Sequence, residues 1–177
     1  MKLRRRIAAT LLALTLPGAA LALEPPMIIA AMTIPGGQLD PAFPNADVYL
    51  ATPATPTVPP GRACALAQHY VALVNAGKYL EVAALFAHDA TFLEPMRPTL
   101  HGRTEIDAFY TRRIGTMAPQ VMGVSYFGND SECMVELALH AEIGGQKRWV
   151  LVSIDHFILG ENGKVKSMTA FARPVRG

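Results

Sequence analysis

The sequence of 177 residues has few of the features typical of metal-binding, nucleic-acid-binding or membrane proteins. Its two cysteines lie in no CxxC or zinc-type cluster, and its five histidines show no metal-ligand spacing. Beyond the N-terminus, no apolar run is long enough to cross a bilayer. No stripe of lysine and arginine is present, which argues against nucleic acid as a partner. We therefore expect no metal site and no nucleic-acid interface.

The N-terminus has the three parts of a secretory signal peptide. Lys2 and the arginines at 4–6 form a positive region, Ile7 to Leu16 is a short apolar run, and Ala20-Leu21-Ala22 suits a signal peptidase. We predict a signal peptide over residues 1–22 and an exported protein, periplasmic or secreted; an uncleaved anchor is the alternative. Without residues 1–22, lysine plus arginine falls from 16 to 12 while aspartate plus glutamate stays at 14, so the net charge becomes −2.

Residues 23–61 are predicted to be an extension or linker that precedes the folded domain. They contain nine of the fourteen prolines, interspersed with alanine and threonine, and such a composition favours a stiff, extended chain. The folded domain is therefore expected over residues 62–177. In an oxidising compartment Cys64 and Cys133 could form a disulfide, but the sequence does not give the distance between them.

The pattern within residues 62–177 is that of an α+β domain. Apolar residues recur at helical spacing over Arg62–Asn75 and Lys78–His88. A strand over Ala90–Leu93 and a helix over Thr104–Thr116 follow. Gly144-Gly145 is a hairpin signal between the last strands. The four final strands are predicted at 122–127, 133–143, 146–159 and 164–173. A curved antiparallel or mixed sheet that wraps three helices and encloses a pocket is the expected architecture.

Glu94 occupies a position at which a catalytic base could be held rigidly. It directly follows the predicted strand, and Pro95, which cannot donate a ladder hydrogen bond, ends that strand. A general base needs such fixed placement. The alternative is that Glu94 simply faces water, as most acidic residues do.

Asp155 is the residue that fits its surroundings least. It lies within an apolar strand at the same parity as Leu151 and Phe157, although aspartate is depleted in strands. A carboxylate buried without a partner tends to take up a proton, and a protonated Asp155 would donate a hydrogen bond. The alternative is that Asp155 accepts a backbone hydrogen bond or faces water at an edge.

Tyr70 and Tyr110 lie on buried helix faces, where each is either an ordinary core tyrosine or one whose hydroxyl has a specific partner.

Several short motifs in this region occur together in a known superfamily. They are YVALVNAG at 70–77, DAT at 89–91, LHGR at 100–103 and AFY at 108–110, followed by Ile154-Asp155 and Met168. With them, the segment 70–171 resembles the NTF2-like (SnoaL-like) superfamily and, within it, the Δ5-3-ketosteroid isomerases. The resemblance implies a cone-shaped α+β domain that encloses a pocket.

The resemblance also implies a role for each unusual residue. Tyr70 matches an oxyanion-hole tyrosine, and Asp155 matches the aspartic acid that this family is known to keep protonated. Tyr110 matches a second tyrosine that supports the first. Glu94 takes the place of the aspartate that carries the proton, and its extra methylene is a departure from the family. The residues expected to line the pocket are Phe86, Phe109, Leu151, Phe157 and Phe171.

The implied function is that of an exported isomerase that moves the double bond of a β,γ-unsaturated, steroid-like ketone through a dienolate, without metal or cofactor. One alternative is a non-catalytic protein that binds a small apolar ligand. Another is a SnoaL-like cyclase or dehydratase, in which His88 or His156 would point inward. The apolar outer face of the long strand predicts a homodimer, and no membrane partner is expected after signal cleavage.

Overall fold

The structure, a computed structural model, describes residues 50–94, 97–143 and 146–172. The predicted signal peptide, most of the predicted linker and Gly144-Gly145 lie outside the described residues. The first half of the described chain contains β1 (Leu50–Ala51), α1 (Arg62–Asn75), α2 (Tyr79–Ala84), β2 (Phe86–Leu93), β3 (Leu100–His101), α3 (Gly102–Ala108), a π-helical segment (Phe109–Ile114) and the single turn α4 (Gly115–Met117). The second half contains β4 (Val121–Gly128), β5 (Glu132–Ile143), β6 (Gln146–Leu159) and β7 (Val165–Ala172).

In the described residues, seven strands form one mixed sheet. Six of them follow the order β3-β2-β7-β6-β5-β4, and every neighbouring pair is antiparallel except β2 and β7. The seventh strand, β1, pairs with Trp149 and Val150 of β6, on the side that β7 occupies further along the strand. The helices pack against one face of this curved sheet, and the hydrophobic core lies between them. The predicted α+β architecture is therefore confirmed.

Three predicted element boundaries are wrong. The helix predicted to extend to His88 ends at Ala84, and β2 begins at Phe86 instead of Ala90. Pairing with β7 explains the change, because Val165 donates its N–H to the carbonyl of Leu85 and lies opposite Phe86. The third helix begins at Gly102, not at Thr104, and becomes π-helical at Phe109.

Helix α1 is fixed to the β4–β5 hairpin at its first turn. The N–H of Arg62 donates to the Asp130 carboxylate at 3.0 Å, and Gly61 lies so close that a Cβ there would be 2.6 Å from the Asn129 backbone. Cys64 and Cys133 form a disulfide, with their Cα atoms 5.0 Å apart. The question that the sequence left open is thus answered, and the start of α1 is covalently joined to β5.

The C-terminal end of α1 is held by a second contact with the sheet. The side-chain amide of Asn75 donates to the Val121 carbonyl at 2.8 Å and accepts from the Val121 N–H at 2.7 Å. Because both ends of α1 are attached to the sheet, Tyr70 near its middle has a fixed position. No helix among the described residues is both long and apolar enough to cross a membrane.

Candidate active site

Two buried tyrosines form the centre of the candidate site. The hydroxyl of Tyr110 donates to that of Tyr70 at 3.1 Å and lies 3.8 Å from the Met168 sulfur. Tyr70 is 7% exposed and Tyr110 is 1% exposed. Burial raises the pKa of both phenols, and the nearby Asp155 raises them further. Since Tyr110 donates and Tyr70 accepts, the hydroxyl hydrogen of Tyr70 can be donated to another oxygen.

Aromatic packing fixes the orientation of these two rings. Tyr70 contacts Phe157 edge to face, with ring centroids 5.1 Å apart. Tyr110 stacks on Phe92 at 6.2 Å and meets the edge of Phe109 at 5.2 Å. Phe109 also contacts Phe92, so two consecutive residues of the π-helical segment reach the same ring. A π-helical turn is wider than an α-helical one and is frequent at functional sites.

Asp155 is a buried carboxyl group whose pKa lies well above its ordinary value. It is 4% exposed, and its Oδ1 atom has no hydrogen-bond partner among the described residues. Burial raises its pKa from 3.8 to about 7, and a hydrogen bond with the Ser153 hydroxyl partly offsets that shift. Below about pH 7, Asp155 is therefore mainly a hydrogen-bond donor.

Glu94 reaches the same face of the sheet from the end of β2. Phe92 and Leu93 pair with Met168 and Thr169 of β7, and the next step in this register places Glu94 beside Ala170. Ala170 in turn pairs with Asp155. Glu94 and Asp155 are thus two strand spacings apart, about 10 Å between their Cα atoms.

The carboxyl group of Glu94 lies in an environment different from that of Asp155. Its Oε2 atom is 3.6 Å from Nε of Arg97, and the Glu94 side chain is only 8% exposed. The structure therefore places the buried Asp155 carboxyl group, the Tyr70 hydroxyl and a Glu94 carboxyl group beside Arg97 around one side of the sheet.

Three of the five residues predicted to line the pocket lie at the core around the tyrosine pair. Phe86 and Phe157 are fully buried, and Phe109 packs partly buried against them. The predictions for Leu151 and Phe171 are wrong. Phe171 is 53% exposed and pairs with Ile154, the neighbour of Asp155, so it lies on the outer face.

A β-bulge explains the error at Leu151. Leu137 pairs with Ser153 but its neighbour Ala138 pairs with Leu151, so Val152 is an extra residue in β6. The bulge breaks the two-residue alternation, and Leu151 and Asp155 lie on opposite faces although they share a parity in the sequence. Leu151 is buried, but on the other face of the sheet. Val152 is the residue of this segment that packs against the core around Tyr70.

Two residues at the site, Ser153 and Arg97, are not among the predicted ones. Ser153, two positions before Asp155, forms a hydrogen bond with its carboxyl group. Arg97, three positions after Glu94 and beyond a proline, forms an ion pair with it. A serine or an arginine two or three positions from an acid is usually solvated, so the spacing alone does not identify these contacts.

The histidines do not contribute to this site. His88 is exposed, and His156 lies on the outer face, where its Nε2 atom is 3.0 Å from the Glu132 carboxylate. Within the described ranges, no group of three or more histidine, cysteine, aspartate or glutamate residues could hold a metal ion.

The chain matches a known domain family over more than half of its length. A sequence model of the SnoaL-like domain matches residues 67–168. The chain belongs to the SnoaL-like family. No curated protein sequence matches this SnoaL-like chain significantly.

Solved structures show the same NTF2-like fold. The epoxide hydrolase/cyclase-like enzyme SalBIII, described for pyran ring formation in the polyether salinomycin, has a TM-score of 0.51 and 21% identity, covering 60% of this chain and 87% of its own. RV0760c from Mycobacterium tuberculosis, solved with estradiol-17beta-hemisuccinate, has a TM-score of 0.53 and 20% identity, covering 63% and 93%. An NTF2-like protein of unknown function from Cytophaga hutchinsonii has a TM-score of 0.47 and 14% identity, covering 62% and 88%. At these identities the likeness concerns the fold, and the two structures with TM-scores above 0.5 confirm the NTF2-like cone.

Proposed function

We propose that this SnoaL-like protein is an exported isomerase that moves the double bond of a β,γ-unsaturated, steroid-like ketone. The observation that supports this most directly is the combination of Tyr70 and Asp155. Tyr70 accepts from Tyr110 and keeps its own hydrogen for donation, and Asp155 is buried with an oxygen that has no partner among the described residues. Two such donors suit an oxygen atom on which negative charge develops.

The proposed reaction is an internal proton transfer. The Glu94 carboxylate removes a proton from the carbon between the ketone and the double bond, and the electron pair moves onto the carbonyl oxygen. Tyr70 and Asp155 donate hydrogen bonds to that oxygen, which together contribute several kcal/mol to the transition state. The carboxyl group then returns the proton to the far end of the former double bond. No atom is gained or lost, and neither substrate nor protein changes its oxidation state.

The proposal that the protein is exported is supported by two independent features. The first is the signal-peptide pattern in residues 1–22. The second is the Cys64–Cys133 disulfide, because such bonds persist in oxidising compartments and are rare in reducing ones. A periplasmic or secreted location agrees with both.

The role of Glu94 gives a direct test of the proposed reaction. We expect the protein to convert 5-androstene-3,17-dione to a conjugated enone, followed by its ultraviolet absorbance, and Glu94→Gln to lower kcat by at least about 10²-fold. The amide keeps the shape of the side chain but cannot accept the proton as a base. Affinity for the enone product, measured by fluorescence quenching, is expected to change by about twofold at most.

Glu161→Gln, which alters an exposed acid in the β6–β7 turn, serves as the control and should leave kcat unchanged. A protein that binds the ketone and the enone without turnover would instead be a carrier of small apolar ligands, the second candidate function. The cyclase or dehydratase alternative required an inward histidine, which neither His88 nor His156 provides.

The proposed isomerase also has a surface suited to a homodimer. Large apolar side chains are exposed on the outer face of the sheet, opposite Asp155, and contiguous exposed apolar surface marks interaction sites. The register places Phe127, Met134 and Leu93 in one row across this face, with His156 and Thr169 between Met134 and Leu93. We name this outer surface the apolar row, defined by Leu93, Phe127, Met134, Ile158 and Phe171.

Placing a charge in the apolar row should separate the two subunits. We expect the wild type to sediment as a dimer, and Phe127→Glu to raise the dimer dissociation constant by about 10²-fold or more, because the carboxylate would be buried without a partner. Leu80→Glu changes an equally exposed apolar residue on α2 and should leave the dimer intact. Monomeric wild type at all concentrations would contradict the proposal.

A further inference from the structure

We propose that Arg97 is a positioning residue that keeps the Glu94 carboxylate ionised and directed toward the substrate. This inference rests on the proposed function, since it assigns to Arg97 a part in proton abstraction by Glu94. It follows from the ion pair at the end of β2, in which Nε of Arg97 lies 3.6 Å from Oε2 of Glu94.

The backbone itself brings these two side chains together. The N–H of Arg97 donates to the carbonyl of Glu94 at 3.1 Å, so a backbone hydrogen bond joins the two residues. With this bond in place, the Arg97 guanidinium lies beside the Glu94 carboxyl group. The ion pair is therefore formed between residues that are already joined by a backbone hydrogen bond.

The comparison with Asp155 shows why a cation is needed at Glu94. Both acids are almost completely buried, with 6% exposure for Glu94 and 4% for Asp155. Burial without a cation nearby raises the pKa of a carboxyl group, as it does for Asp155. A base must be ionised, and a neighbouring positive charge is the usual means of keeping a buried carboxylate in that form. Arg97 supplies that charge beside Glu94, and the described structure records no ion pair for Asp155.

The two partners of this pair differ in exposure. The separation of 3.6 Å between Nε and Oε2 is longer than a tight hydrogen bond, and the Arg97 side chain is 42% exposed whereas that of Glu94 is 8% exposed. Arg97 can thus stabilise the negative charge of Glu94 while it remains partly in solvent. Under this proposal Glu94, which removes the proton, is ionised. Asp155, which donates to the carbonyl oxygen, is protonated, although both lie on one face of the sheet.

Substitution of Arg97 should affect the rate and leave binding nearly unchanged. We expect Arg97→Gln to lower kcat by about 10- to 100-fold with KM within about twofold, because misplacement or protonation of a base slows the chemical step. Arg97→Lys keeps the charge and should recover most of the loss. Arg112→Gln, which removes an exposed arginine from the π-helical segment, is the matched control and should behave as the wild type. An unchanged kcat in Arg97→Gln, or no recovery in Arg97→Lys, would overturn the inference.

A second measurement does not depend on turnover. In protein labelled with ¹³C at the glutamate carboxyl groups, the Glu94 signal is identified by its loss in Glu94→Gln. At pH 6 we expect the Arg97→Gln signal to move toward the position of the protonated acid, and the Arg97→Lys signal to stay near that of the wild type. A signal that does not move contradicts the role of Arg97. A wild type without isomerase activity contradicts the proposed function instead, so the two failures are distinguishable.

Discussion

Asp155→Asn is expected to make the protein more stable than the wild type at pH 8 and slightly less stable at pH 4. In the folded protein, burial raises the pKa of Asp155 from 3.8 to about 7. Between these two values the folded state binds one proton more than the unfolded state. The free energy of unfolding of the wild type must therefore fall as the pH rises from about 4 to about 7, and stay level above that range. An asparagine does not titrate and removes this dependence.

The size of the effect follows from the two pKa values. Each pH unit in that interval costs about 1.4 kcal/mol, which gives about 4 kcal/mol at pH 8. The asparagine amide must find acceptors in a buried position, which costs about 1 kcal/mol at every pH. Urea unfolding between pH 4 and pH 8 should therefore show Asp155→Asn about 3 kcal/mol more stable than the wild type at the alkaline end. Other titrating groups are common to both proteins and cancel in the difference.

Asp89→Asn provides the control, since Asp89 is an exposed aspartate on β2 and its replacement should leave the pH dependence of the wild type in place. The same titration bears on the proposed reaction. Above about pH 7 Asp155 loses the proton that it would donate, so kcat/KM should decline there. If the stabilities of wild type and Asp155→Asn run parallel from pH 4 to pH 8, Asp155 is ionised throughout, and the proposed donor does not exist.

Asp155 could be singled out from the sequence because it breaks a local rule. A carboxyl group within a run of strand-forming apolar residues has few explanations, and burial in the folded protein is one of them. Tyr70 and Tyr110 carried a weaker signal, because a tyrosine on the inner side of a helix is common in ordinary cores. The helical periodicity placed both tyrosines on buried faces, but only the structure gives the 3.1 Å contact between them.

Other features depend on contacts that no local pattern contains. The bulge at Val152 reverses the face of Leu151, and its position is set by how β5 and β6 pair. The early start of β2 at Phe86 depends on a strand almost 80 positions later in the chain. Arg97 could not be predicted for a different reason. An arginine near an acid in a loop is usually solvated, and only the burial of Glu94, seen in the structure, distinguishes this ion pair from a surface one.

Removal of the Cys64–Cys133 disulfide is expected to cost about 4 kcal/mol of stability. The bond closes a loop with a sequence separation of 69, and in the chain-entropy account a loop of this length restricts the unfolded chain by about that amount. We expect the double variant Cys64→Ala/Cys133→Ala to unfold at a clearly lower urea concentration than the oxidised wild type. Both sulfurs are fully buried, so the lost packing adds a smaller contribution in the same direction.

A reductant separates the covalent contribution from the packing contribution. Dithiothreitol should lower the unfolding midpoint of the wild type toward that of the double variant, and it should leave the double variant unaffected. If the oxidised wild type and the double variant unfold at the same urea concentration, the bond does not constrain the unfolded chain, and the expected loss is wrong.

The disulfide also affects the candidate site, because it joins the start of α1, which carries Tyr70, to the strand next to Asp155. A reducing compartment would thus weaken the anchor of one proposed donor relative to the other, which agrees with the proposed export of the protein.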